Sequence, residues 1–140
     1  MSYLDEELIA DLKKLNISFS TLSGVEHDAL TRKINERIPF TGNQIAWSTL
    51  DNSISFGSTS SNLAISMLAE KINAVADGEL VFIGDSACDN AYSLSVEHLD
   101  QALRVMSELP QHTYILQKSL AWIACISFEG HLDFATIASR

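Results

Sequence analysis

The tightest constraint on the fold lies near the C-terminal end. Two apolar segments, residues 121–128 and 131–137, are separated only by Glu129-Gly130. A parallel crossover needs a dozen residues or more, so a two-residue link joins them as an antiparallel hairpin. In the second segment His131, Asp133 and Ala135 alternate with Leu132, Phe134 and Ile137, the period of a strand with two unlike faces, although the alternation slips at its end. Residues 113–116 and 80–83 are further apolar runs of strand length, and residues 91–94 form a shorter one.

Helical spacing dominates the earlier part of the chain. Leu4, Leu8, Leu12 and Leu15, with Ile9, predict an amphipathic helix over residues 3–15. Asp5, Glu6 and Glu7 stand in its first turn and Lys13 and Lys14 in its last, as the helix dipole favours. A second helix is expected over 25–38, with Leu30, Ile34 and Ile38 as its stripe, Ser23 as its cap and Pro39 as its stop. A third, over 61–74, carries Leu63, Ile65, Met67, Leu68 and Ile72, and Asp77-Gly78 closes it with turn chemistry. A fourth is expected to start from a Ser95 cap, with Glu97 in its first turn, and to end before Pro110. Its inward stripe is Val96, Leu99, Ala102, Leu103 and Met106. Between residues 40 and 62, Ile45-Ala46-Trp47 and Ile54-Ser55-Phe56 read as short strands joined around Asp51-Asn52. Helices first and hairpin strands last predict one α+β domain over residues 1–140: N-terminal helices with a mainly antiparallel sheet in the C-terminal half.

Charge narrows the function. Eighteen Asp and Glu face nine Lys and Arg, a net charge of −9. Residues 1–38 carry seven acids and five bases, and residues 39–140 eleven acids and four bases. Between Asp77 and Glu108 seven acids face the single base Arg104. Such a field repels phosphate backbones, which argues against direct nucleic-acid binding, and it speeds encounter with a basic partner. No apolar run approaches the ~20 residues that span a bilayer, so no membrane partner is expected. The acidic start Met1-Ser2-Tyr3-Leu4-Asp5-Glu6-Glu7 lacks the apolar region of a secretory signal, and a cytoplasmic location is the expectation. A reducing compartment then leaves Cys88 and Cys125 as thiols, Cys125 in the core and Cys88 in a polar, exposed loop.

Candidate chemistry centres on the loop Gly84-Asp85-Ser86-Ala87-Cys88-Asp89-Asn90. Ser86 follows a buried strand, and His131 and Asp133 share one face of another, so the trio forms an imaginable hydrolytic triad. Gly84-Asp85-Ser86 resembles the opening block of GDSL-type esterases, and a small serine hydrolase using Ser86 is the alternative reading. The later segment here is His131-Leu132-Asp133 where those enzymes carry Asp-x-x-His. Asp85 and Asp89 match no calcium-loop spacing, and His27, His98, His112 and His131 show no metal-ligand spacing, so neither metal nor cofactor is expected. Trp122 opens an apolar strand and reads as core, whereas Trp47 reads as an interface anchor.

The string Gly84-Asp85-Ser86, Asp89, Ala91-Tyr92, then Leu109-Pro110-Gln111-His112-Thr113-Tyr114, Trp122 and Phe128-Glu129-Gly130-His131-Leu132-Asp133-Phe134 resembles small immunity proteins of bacterial polymorphic toxin systems, including contact-dependent growth inhibition. It covers residues 79–137. The Gly-Asp-Ser loop is also similar to the SUKH immunity superfamily, from which the chain departs by placing a helix after the loop strand. The resemblance implies a cytosolic protein that binds the C-terminal toxin domain of a secreted toxin and occludes its active site or substrate surface. A nuclease toxin would present a basic cleft. Asp85, Asp89, Glu97, Asp100 and Glu129, with Trp47, are the residues expected to meet it. The sequence leaves the oligomeric state open.

Overall fold

A computed structural model describes residues 2–42 and 44–137. Four helices and nine strands follow in the order α1 (Tyr3–Lys14), β1 (Phe19–Thr21), α2 (Gly24–Arg37), β2 (Phe40–Thr41), β3 (Gln44–Ile45), β4 (Asp51–Ser58), α3 (Asn62–Val75), β5 (Leu80–Gly84), β6 (Tyr92–Leu94), α4 (Leu99–Met106), β7 (Thr113–Leu116), β8 (Trp122–Ile126) and β9 (His131–Thr136). Seven strands form one sheet in the order β1-β6-β5-β7-β8-β9-β4, and β2 and β3 pair separately. Each described pairing is antiparallel. The fold is the α+β arrangement expected.

Strand alternation builds a core on each face of the sheet. Leu80, Phe82, Ile115, Ala124 and Phe134 point to the side covered by α1, α3 and α4. Their neighbours Val81, Ile83, Leu116, Ile123 and Cys125 point to the side where α2 packs through Leu30, Ile34 and Ile38. Both faces of the central strands are therefore apolar, which explains why residues 80–83 and 122–126 read as unbroken hydrophobic runs. The capping boxes that start α1 and α2 are both formed, Ser2 with Asp5 and Ser23 with Glu26. The far end of α2 is tied to the turn between β7 and β8, where the Lys33 ammonium donates to the Lys118 carbonyl at 2.6 Å.

Several local expectations are corrected. β1 was not anticipated: three residues carry no periodicity, and pairing with β6 alone defines it. Asp51-Asn52 is not a joining turn. It opens the eight-residue edge strand β4, with Asn52 at φ 53° beside an irregularity in the register against β9. The strand expected at residues 45–47 stops at Ile45, and Trp47 begins a 3₁₀ turn. Ser95 makes no side-chain cap; a 3₁₀ turn, Val96–His98, precedes α4. Ile137 falls in the α2-side core with Cys125, not on the face of Leu132 and Phe134. Cys88 is buried, and burial followed by the nearby Asp5 carboxylate pushes its thiol up to about 12. Trp122 is core as expected, stacked on Phe134 with ring centroids 5.8 Å apart.

Candidate recognition cleft

The loop between β5 and β6 is held by side chains remote in sequence. Asp5 is fully buried although it stands in the first turn of a surface helix. Its Oδ2 accepts the Asp89 N–H at 2.7 Å and the Ser2 hydroxyl at 2.7 Å, and its Oδ1 accepts the Tyr92 hydroxyl at 2.5 Å and the Asn90 N–H at 3.3 Å. Burial pushes this carboxyl up, but the hydrogen bonds from Tyr92, Ser2 and the Asp89 backbone outweigh it and hold the group down at about 2. Tyr92, buried and donating to that carboxylate, is pushed well above the usual phenol range. Gln111 supports the same loop from below. Its Oε1 accepts the N–H groups of Ala87 and Cys88 at 3.0 and 2.9 Å, and its Nε2 donates to Thr113 Oγ1 at 3.1 Å. Gly84 makes room for it, since a Cβ there would collide with the Gln111 amide.

The six anchors expected from the sequence divide between the two sides of the sheet. Asp85 and Asp89 are exposed and line a cavity of about 710 Å³ between the loop and α2. Trp47, half-buried, and Glu129, exposed at the β8–β9 turn, line a cavity of about 400 Å³ on the same side, over Cys125, His131 and Asp133. Tyr114 of β7 lines both cavities. Asp100 lies in the helix layer of the opposite face. It pairs with Arg104 at 2.7 Å and accepts the Ser66 hydroxyl at 2.8 Å, bridging α4 to α3, so its charge is already matched. Glu97 is exposed in the 3₁₀ turn before α4. The acidic stretch that looked continuous in sequence is thus split by the sheet.

The hydrolytic trio is not assembled in one cavity: Ser86 lines the cavity beneath α2, while His131 and Asp133 line the other. The Ser86 hydroxyl donates to Asp85 Oδ1 at 3.1 Å. Among the described residues no cluster of three or more His, Cys, Asp or Glu is placed to hold a metal ion, and no helix is long and apolar enough to cross a membrane.

Taken together the two cavities carry four carboxylates, Asp85, Asp89, Glu129 and Asp133, and no Lys or Arg among their lining residues. Burial pushes the Asp133 carboxyl up, and His131 and the Ser55 hydroxyl draw it only partly back. Burial, with nearby Cys125 and Asp85, pushes the Tyr114 phenol far up, and burial with Asp133 does the same for the Cys125 thiol, so both keep their protons at neutral pH. Asp5, Gln111, Tyr114 and His112 escaped the sequence reading. Nothing in their local spacing separates them from solvated residues or ordinary strand members. Neither a scan against protein-family models nor a search of curated proteins finds a match for this chain.

Proposed function

We propose that this chain is a cytoplasmic immunity protein that binds and neutralises the C-terminal domain of a cognate secreted toxin. The observation that supports it is the pair of adjoining cavities with four lining carboxylates and, among their lining residues, no Lys or Arg. Opposing fields steer a basic partner onto such a surface and raise the association rate. A nuclease toxin needs a positive cleft to hold phosphate, and an acidic cleft with a half-buried Trp47 beside it competes for that surface. The resemblance of residues 79–137 to immunity proteins points the same way. No cofactor enters this mechanism, and inhibition follows from occupancy alone.

The test is direct. The chain is coexpressed with the toxin domain encoded by the gene immediately upstream, copurified, and titrated against that domain's activity. A stoichiometric complex that abolishes the activity supports the reading. A chain that neither binds the domain nor relieves its toxicity in cells overturns it.

A further inference from the structure

We infer that α2 is a flap, tethered along one flank to the β7–β8 turn and free to lift along the other over the cavity of about 710 Å³ that faces the β5–β6 loop. The inference concerns the chain alone and stands whatever occupies the cleft. α2 is lightly held. Of its fourteen residues it buries Leu30 and Ile34, whereas α3, of equal length, buries five. A helix of that length is marginal by itself in water, so its stability comes from such packing. Where buried apolar contacts are few, an element opens locally without global unfolding.

The helical period sorts the other side chains of α2 by flank. Glu26, Lys33 and Arg37 fall on one line, and His27, Thr31 and Asn35 on another, with the buried pair between them. The first line meets the β7–β8 turn. The Lys33 ammonium donates to the Lys118 carbonyl at 2.6 Å, the Arg37 guanidinium to the Ser119 carbonyl at 3.2 Å, and the Lys118 ammonium to the Glu26 carboxylate at 3.0 Å. That turn is itself fixed: Leu120 is fully buried, and the Gln117 side chain bonds Asp77, Glu79 and Trp122. The second line lies along the cavity, which Asp85 and Asp89 line from the β5–β6 loop. Both ends of the helix are pinned, the first through the Leu22 N–H on the Ala91 carbonyl and the last through buried Ile38. Links along one edge, a void along the other and pinned ends leave a roll about the tethered flank as the soft motion.

Native-state hydrogen exchange of the full chain, read by two-dimensional NMR, tests this. Amides of residues 30–37 should exchange at least about tenfold faster than those of residues 65–72 in α3, through an opening that depends little on denaturant. Lys33→Met removes one tether and should speed the α2 amides about twofold to fivefold, the range of exposed ionic links, while the α3 amides keep their rates. Thr31→Leu fills space along the free flank. It should slow the α2 amides about threefold relative to Thr31→Ala, which raises helix propensity without the bulk. Three results would each overturn the flap: α2 amides as protected as those of α3, a Lys33→Met effect shared equally by both helices, or no difference between the Leu and Ala variants at position 31.

Discussion

Asp85 and His112 grip each other through two hydrogen bonds: Asp85 Oδ1 accepts the His112 N–H at 2.9 Å, and the Asp85 N–H donates to the His112 carbonyl at 3.1 Å. The exposed carboxylate is thus also a clamp between the end of β5 and the start of β7. His112 extends the chain of contacts, since its Nδ1 accepts the Phe128 N–H at 2.9 Å and so fixes the approach to the Glu129 turn. Charge at position 85 cannot be altered without disturbing both cavities, whereas Asp89 contributes only its backbone to the framework.

Asp89→Lys is therefore the clean test of steering. Stopped-flow association with a basic partner should slow for this variant more than dissociation quickens, as rim charges behave. The parent rate should also fall with added salt, as the Debye length shrinks from about 10 Å at 0.1 M to about 3 Å at 1 M. A parent rate indifferent to salt, with an Asp89→Lys variant that binds as tightly, would remove electrostatics and leave an apolar interface centred on Trp47.

Replacing Ser86 by Ala should leave both folding and partner neutralisation intact. The Ser86 hydroxyl only donates to Asp85, which keeps its bond to the His112 amide. Loss of neutralisation in a variant that still folds and binds its partner would reinstate the hydrolase reading.

Sheet stability is predicted to rest on both faces. Phe82 and Ile123 are buried in the helix-covered and α2-side cores respectively, and truncating either to Ala should cost about 2–5 kcal/mol. Urea unfolding of the two variants measures it, and a cost within about 0.5 kcal/mol of zero, the range of ordinary surface changes, would contradict the packing described.

Acid should weaken the fold partly through Asp5. Its folded carboxyl, held at about 2, lies below the ordinary value near 3.9 of an unfolded chain. The stabilisation is thus fully present above about pH 5 and lost as pH falls through about 4 towards 2, amounting to about 2 kcal/mol. Asp5→Asn should be less stable at neutral pH, since an amide cannot accept every bond the carboxylate does. Its stability should also vary less between pH 5 and pH 2 than the parent's. Identical pH profiles for the two proteins would deny Asp5 this role.

Gly84→Ala should destabilise by about 1–3 kcal/mol, the usual cost of overpacking. The added methyl would meet the amide of Gln111, a side chain that three hydrogen bonds fix in place. Faster hydrogen exchange at Ala87 and Cys88 is the accompanying sign, and unchanged exchange there would show that Gln111 moves freely.

What the sequence made legible follows from where periodicity survives. α1, α2 and α3 each pair an apolar stripe with a Ser cap, and the hairpin of β8 and β9 is written in two strand-length runs around Glu129-Gly130. β1 and β4 were hard to read because edge strands need little apolar sequence. β4 is almost wholly exposed, and what defines it is its partner, β9. The cleft was half legible. Asp85, Asp89, Glu129 and Trp47 do share one side, but the sheet places Asp100 on the other, paired with Arg104. Asp5 looked like a dipole partner at a helix start, and only the tertiary fold turns it into the acceptor of a distant loop.

That long reach of Asp5 also orders events in time. Its partners Asp89 and Tyr92 lie 84 and 87 positions further along the chain. On the ribosome α1 is complete well before they exist, and closing so wide a loop is among the slower steps of folding. Until it closes, the carboxylates of the 84–90 loop are present but not arranged as a cleft. The N-terminal helix and the loop are thus joined in one late step, and the loop takes up the arrangement that lines the cavity beneath α2 only when the first helical turn has found the middle of the chain.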